Sequence, residues 1–299
     1  MIWIFPIFTF KISQEIVLLI PFIFLIVSLV FLIVLLLLDT FRFSRQGEHL
    51  VLAFAWNPLL AIEVAGSGHV DVVGALLLVV SGAALARRWR TTAAVGLGLA
   101  VAVKFLPIVL VPLYWKRVRI RDAALAVTVV GLLYVPFLNH GRIPVGSLGS
   151  YVRTFRFNGP VFAALAQVVS PQFVAGLAVL VGLAIAMLLK RGESELSLDL
   201  FAWPMAATLL CAPVVFPWYL LWLLPFLTSA STLLIIVWSA SIIATYVQWH
   251  LRTLGRPWGA LPGWIMVLEY GCVATVGAIF ALHRHTRPVV LQDSREQAR

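Results

Sequence analysis

Charged side chains are scarce in this chain of 299 residues. Asp, Glu, Lys and Arg together make up 11% of it, whereas 62% of the residues are hydrophobic. A soluble domain carries about 25% charged and about 45–50% apolar residues. This composition, with a mean hydropathy of +1.02, excludes an ordinary soluble enzyme and a disordered chain.

Cysteine and the common nucleotide motifs are also missing or nearly so. The two cysteines, Cys211 and Cys272, lie in apolar runs and cannot form a disulfide framework. The sequence contains no Walker loop, dinucleotide fingerprint, HExxH or CxxC, and its two short G-x-G sequences lack the rest of a phosphate loop. These absences argue against redox chemistry and against an ATP-driven machine.

Long uncharged runs are what the chain does have. A transmembrane helix needs about 20 apolar residues, because lipid offers no partner to free backbone groups. The runs are 23 residues at Ile16–Leu38, 33 between Arg156 and Lys190, 52 between Asp199 and Arg252, and Gly263–Leu282 with the single acid Glu269. We predict an all-α, polytopic transmembrane bundle of about eleven crossings, some short or re-entrant. Residues 1–282 form one transmembrane domain and 283–299 a cytoplasmic tail.

The net charge of +10 is explained by where the basic residues lie. Fifteen of the 22 Lys and Arg fall into five groups, at residues 42–45, 87–90, 116–121, 190–191 and 284–299. Basic loops favour the cytoplasmic side of a membrane. All five groups face that side if the N-terminus is outside and the C-terminus inside. Nucleic acid is then not needed to account for the charge, and membrane lipids are the expected surroundings.

The segment Thr91–Trp115 lies between two basic loops. Its length suits a single crossing, but a single crossing would place one of those loops outside. Both of its ends should therefore be cytoplasmic, so it must enter the membrane and return. Pro107 breaks a helix and restricts the residue before it. We predict a hairpin of two half-helices with Lys104 at its tip. The alternative is one straight crossing with a basic loop outside.

Two acids and an imidazole meet at one predicted outer turn. Glu63 ends one span, and His69 and Asp71 begin the next. Ionisable groups at membrane depth cost about 2.5–3.5 kcal/mol on insertion scales, so they are kept where they pair or act. We predict a site that orients a hydroxyl or a metal ion, with Asn57 deeper in the same helix. The alternative is a polar turn with an acid at a helix N-terminus.

Three cations are predicted to lie on the same outer side. Lys104, at the hairpin tip, would act as a point charge for a phosphate. Arg153 and Arg156 share a face if their stretch is helical, and together they would hold a phosphate in forked geometry. The alternatives are snorkelling of the lysine and headgroup anchoring of the arginines. Asn158 follows in the same loop.

A proline-rich aromatic stretch, Cys211–Pro225, predicts a broken helix beside a cavity. Its rings Trp218, Tyr219 and Trp222 could stack on sugar faces, and His250 follows later on the same outer side. A belt of aromatic residues at the membrane interface is the simpler alternative.

The order of these elements resembles integral-membrane glycosyltransferases of the GT-C class. The nearest likeness is to bacterial polyprenol-phosphate-mannose-dependent (family 87-like) mannosyltransferases. The resemblance runs from about Leu50 to Pro225 and rests on Asn57-Pro58, Glu63, Gly68-His69-Val70-Asp71, Gly96-Leu97-Gly98-Leu99-Ala100, Lys104-Phe105-Leu106-Pro107, and Pro213 to Pro225 with Pro217-Trp218-Tyr219 and Trp222.

The resemblance implies an activity and a place for it. The enzyme would transfer a hexose, with mannose expected, from a polyprenyl-phosphate donor to a glycan or lipid acceptor. Transfer would occur with inversion, on the outer face of a bacterial inner membrane. Asp71, helped by His69 and Glu63, would serve as base, and Lys104, Arg153 and Arg156 would bind the donor phosphate. No cofactor is required by the resemblance, although a divalent cation is possible.

The family pattern departs from this chain at one point. Members usually carry an acid in a large outer loop between their first two helices, and Glu15 is the only acid before the first predicted cytoplasmic loop here. The resemblance thus predicts an N-terminally truncated member, or a divergent one in which Glu63 or Asp71 takes that role. Two other functions stay open: a lipid or glycan flippase or transporter, and a catalytically inactive membrane subunit.

Overall fold

The computed structural model describes residues 12–138, 148–192, 197–258 and 261–286. Three parts of the chain lie outside these ranges: residues 1–11, residues 139–147 at the start of the predicted outer loop 139–160, and most of the tail from residue 283. The described residues form an all-α fold, with one isolated backbone bridge between Phe157 and Val214. The fold is that of a helical membrane protein.

The α-helices vary widely in length. In chain order they are α1 (Ile12–Phe43), α2 (Leu52–Ala55), α3 (Pro58–Leu60), α4 (Asp71–Ala86), α5 (Arg90–Val103), α6 (Val111–Tyr114), α7 (Ile120–Tyr134), α8 (Leu148–Thr154), α9 (Pro160–Leu165), α10 (Pro171–Gly192), α11 (Ala202–Leu210), α12 (Leu233–Ser241), α13 (Val247–Thr253) and α14 (Gly263–Thr286). Short 3₁₀ helices extend several of them, at Glu48–Val51, Leu106–Leu110, Val135–Phe137, Leu198–Phe201, Pro217–Trp222, Leu224–Phe226, Ala230–Thr232 and Ile242–Tyr246; a π-helical turn spans Ala61–Gly66.

Five helical stretches in the described ranges are long and apolar enough to cross a membrane. They are Pro21–Phe43, Ile120–Phe137, Pro171–Arg191, Ala230–Thr253 and Gly263–His283. A bent pair, Glu48–Ala55 with Pro58–Gly66, makes a sixth if it forms one span. The predicted long spans are thus present. The count of eleven crossings stays a prediction.

Four of the basic groups meet at one end of the bundle. Arg87 binds the Asp39 carboxylate at 2.5 Å, and Thr91 donates to Asp122 at 2.6 Å, which joins the first three groups. The ammonium of Lys190 donates to the carbonyl of Trp115, next to Lys116, and this contact joins the fourth basic group to the other three. We refer to this as the basic end. Its position agrees with the predicted charge sorting, and its side of the membrane stays a prediction.

The predicted break after α5 is present. Lys104 leaves the helix in extended conformation, and the chain returns through a 3₁₀ helix that begins just before Pro107. The Tyr114 hydroxyl then lies 2.7 Å from that of Ser81, which also donates to the Ala93 carbonyl at 2.6 Å. Since Ala93 lies in the first turn of α5, both ends of the segment lie at the basic end.

Close packing of α4, α5 and α7 depends on two glycines in α5. A Cβ on Gly96 would lie 3.0 Å from the Cβ of Ser81 on α4. A Cβ on Gly98 would lie 3.3 Å from Val130 on α7. Small residues let helices approach in this way. The α4–α5 hairpin therefore fixes Asp71 and Lys104, at its open end, opposite each other.

Candidate functional site

Asp71 lies at the open end of the α4–α5 hairpin and accepts two charge-assisted hydrogen bonds. Its Oδ1 lies 2.6 Å from the Lys104 ammonium and 2.7 Å from the indole nitrogen of Trp222. The carboxylate is in the first turn of α4, where the helix dipole favours a negative charge. The side chains of Asp71 and Lys104 are 13% and 26% exposed. The candidate base and the candidate phosphate ligand thus form an ion pair.

Tyr219 supports this pair from the other side. The Lys104 ammonium lies 3.4 Å from the centre of the Tyr219 ring. The Tyr219 hydroxyl lies 3.4 Å from that of Tyr151, and burial raises the pKa of both hydroxyls. Both therefore stay protonated at neutral pH. A cation over an aromatic face is stabilised by the ring quadrupole, most strongly when water is excluded.

Glu63 and His69 form a second pair beside the first. Glu63 is fully buried in the π-helical turn and accepts a hydrogen bond from the Tyr246 hydroxyl. Its other carboxylate oxygen lies 2.7 Å from Nδ1 of His69, a close contact of two buried atoms that does not have hydrogen-bond geometry. The imidazole, 28% exposed, stacks on Trp218 with ring centres 4.3 Å apart. Because Nδ1 is buried against Glu63, Nε2 is the ring nitrogen that can exchange a proton.

Both pairs touch one short 3₁₀ helix, Pro217–Trp222. Trp218 contacts His69, Tyr219 contacts Lys104 and Trp222 contacts Asp71. We call Glu63, His69, Asp71 and Lys104 the acid–base cluster. It combines a fixed cation, two carboxylates and an imidazole, which suits anion binding and proton transfer.

The aromatic side chains of this 3₁₀ helix pack mainly against other residues of the protein and offer little free ring surface to a ligand. Trp222 is fully buried, so it positions Asp71 and offers no face to a ligand. Trp218 stacks on Phe216 as well as on His69, at 4.3 Å in both cases. Those two contacts use ring area that sugar stacking would require. Tyr219 remains partly exposed.

Asn57 has a structural task in the fold. Its Oδ1 caps the short helix α3 by accepting from the Leu59 backbone at 3.1 Å. Its Nδ2 donates to Ser239 at 2.9 Å, and the residue is 7% exposed. Because both polar atoms of this buried amide are hydrogen-bonded within the protein, its burial does not require a ligand.

Arg153 and Arg156 are held by their own helix. Arg153 donates to the Gly149 carbonyl at 3.2 Å, and Arg156 donates to the Val152 carbonyl at 3.1 Å and lies over the Phe162 ring. No described contact joins either arginine to Lys104. Arg156 lines a separate cavity of about 320 Å³. The proposed sharing of one phosphate by all three cations stays a prediction.

No described contact joins His250 or Asn158 to the cluster. His250 is exposed on α13, and its backbone carbonyl accepts a bond from Thr253. Asn158 is buried with a left-handed backbone, φ 53°, and its Nδ2 donates to Glu269 at 2.8 Å. Glu269, fully buried, also accepts from Trp238 at 2.6 Å.

Sequence reasoning missed two partners, Tyr246 and Glu269. For Glu269 a signal was available: it is the single acid in an otherwise apolar run, and a buried charge needs partners. Nothing in the sequence singled out Tyr246. Both show that the last spans of the chain contribute polar groups to the interior of the bundle.

No group of three or more His, Cys, Asp or Glu suited to a metal ion occurs within the described ranges. The divalent cation stays a prediction. Comparison with family models, with curated proteins and with solved structures gave no match to this chain. The function must therefore be inferred from the site itself.

Proposed function

We propose that this membrane protein is a glycosyltransferase that moves a hexose, with mannose the first candidate, from a polyprenyl-phosphate donor to a glycan or lipid acceptor. One observation carries the proposal: a lysine held by a carboxylate and an aromatic ring lies beside an imidazole held by a second carboxylate. A phosphate leaving group needs the first feature and an acceptor hydroxyl needs the second.

Lys104 is the proposed donor ligand. Its ammonium has three donors, of which Asp71 uses one, so it can also bind a phosphate oxygen. As the bond between the anomeric carbon and the phosphate oxygen breaks, negative charge grows on that oxygen. A preorganised cation stabilises this charge because the site has little water to screen it. Asp71 and Tyr219 are then the groups that hold the ammonium in place.

His69 is the proposed base, with Glu63 as its positioning residue. The acceptor oxygen attacks the anomeric carbon, its proton passes to Nε2, and the configuration at that carbon inverts. Asp71 is less suited to this step because its Oδ1 already accepts hydrogen bonds from the Lys104 ammonium and the Trp222 indole. Glu63 lies 2.7 Å from Nδ1 and so fixes the orientation of the imidazole, which leaves Nε2 for the acceptor hydroxyl.

An assay with membranes tests this proposal. Membranes containing the chain receive labelled polyprenyl-phosphate-mannose and candidate glycan or lipid acceptors, and transfer is measured. We expect Lys104→Ala and His69→Gln to lower transfer at least 100-fold. The control is Asp39→Asn, which likewise breaks a pair between an acid and a cation, but at the basic end. It should retain transfer.

Two results would overturn the proposal. Transfer at full rate by both cluster variants would remove the cluster from the reaction. Absence of transfer by the unmodified chain, together with movement of the intact donor lipid across vesicles, would assign a transporter instead. The placement in a bacterial inner membrane, with the cluster on its outer face, is part of the proposal and is checked by labelling from outside intact cells.

A further inference from the structure

A second cavity lies between α5, α7 and the segment that returns from Lys104, and none of the four residues of the acid–base cluster lines it. Its volume is about 480 Å³, and most of its lining is aliphatic, including Leu97, Val101 and Val130. Two of the apolar side chains that line it are largely exposed: Trp115 is 65% and Val127 73% exposed. The cavity therefore opens toward the lipid side of the bundle.

Two cations line the same cavity at the basic end. Lys116 and Arg119 are both exposed, and neither forms a salt bridge with an acid in the described part of the chain. The acid nearest in sequence, Asp122, already accepts from Thr91 and from the Arg119 backbone. An aliphatic cavity with two exposed cations at its mouth, neither in a described salt bridge, matches a molecule with hydrocarbon chains and an anionic head.

We propose that this cavity binds an anionic phospholipid of the bilayer, with an acyl chain between α5 and α7 and the phosphate on Lys116 and Arg119. Basic pockets between transmembrane helices bind lipid headgroups in this manner. The phosphate end of the site is separate from the acid–base cluster, since it lies at the basic end and the 14 residues of α5 span about 21 Å from there to Lys104. It does not depend on the glycosyltransferase proposal.

The test uses fluorescence quenching by lipids that carry bromine on their acyl chains. The full chain is reconstituted in phosphatidylcholine vesicles with increasing brominated phosphatidylglycerol, and in a parallel series with brominated phosphatidylcholine. Trp115 lines the cavity and is the reporter, and a Trp115→Phe variant supplies the background of the other tryptophans. We expect phosphatidylglycerol to quench the Trp115 signal at a lower mole fraction than phosphatidylcholine.

Removing the cations should remove that preference. Lys116→Gln and Arg119→Gln should each reduce it about five-fold. The matched control is Arg45→Gln, because Arg45 and Lys116 are both left-handed non-glycine residues, with φ of 56° and 65°. Arg45 does not line the cavity, so its replacement should leave the preference intact.

Two further measurements keep the inference open to refutation. Ala123→Phe fills the cavity without changing charge, and it should reduce quenching of Trp115 by both lipids. An unchanged preference in the Lys116→Gln/Arg119→Gln double variant would overturn the proposal. So would displacement of the brominated phosphatidylglycerol by a polyprenyl phosphate, which would make the cavity a donor site.

Discussion

The ion pair between Asp71 and Lys104 should stabilise the fold only while both partners are present. Attraction across 2.6 Å amounts to about 6 kcal/mol at an effective dielectric constant of about 20. Loss of hydration by two mostly buried groups offsets most of that attraction. A single replacement leaves one uncompensated charge, whereas a double replacement leaves none.

We therefore expect Asp71→Asn and Lys104→Met each to lower the free energy of unfolding by about 3 kcal/mol. The double variant should be at least 2 kcal/mol more stable than the sum of the single effects predicts, roughly the coupling seen for residues in contact. Such changes correspond to a fall of about 6–12 °C in the midpoint of thermal unfolding for each single variant.

The assay is thermal denaturation of detergent-purified protein, followed by loss of the monodisperse peak on size exclusion. The matched cycle uses Glu48→Gln and Arg42→Met, since these side chains are 48% and 65% exposed and surface pairs couple by about 0.2–1 kcal/mol. Additive losses in the Asp71–Lys104 cycle would refute the reasoning, because they would show that neither charge depends on the other.

Two other predictions concern packing and topology. A Cβ on Gly74 would overlap the Trp222 indole, so Gly74→Ala should destabilise the protein by about 1–3 kcal/mol, whereas Gly131→Ala, with open space around it, should have little effect in the same thermal assay. In a chain whose native cysteines are replaced by serine, Arg90→Cys and Arg121→Cys should react with an impermeant thiol reagent from the same side of the membrane; labelling from opposite sides would show that α5 and the segment after it make one straight crossing.

Local sequence patterns were enough to predict the larger elements of the fold. Uncharged length alone identified the long spans, because the cost of an unpaired backbone group in lipid leaves few alternatives. Charge parity and Pro107 together predicted the break near Lys104. The structure adds that the returning segment is a 3₁₀ helix followed by one short α-helix, which no periodicity in the sequence indicates.

The grouping of the site was only partly predictable. Glu63, His69 and Asp71 are close in sequence, so their meeting at one turn follows from chain connectivity. Trp222 and Tyr246 are 151 and 183 residues away from the acids that they bind, and only tertiary packing joins them. The predicted phosphate binding by Arg153 and Arg156 stays a prediction, and the structure adds that each arginine also donates to a carbonyl of its own helix.

The 3₁₀ geometry of Pro217–Trp222 explains why this aromatic stretch can serve both charged pairs. In a 3₁₀ helix, residues three apart lie on one face. Tyr219 and Trp222 are three apart, and both contact the Asp71–Lys104 pair. Trp218, one position earlier, projects toward His69. An α-helix would turn Tyr219 and Trp222 about 60° apart around its axis, so the two side chains would be less closely aligned over the pair.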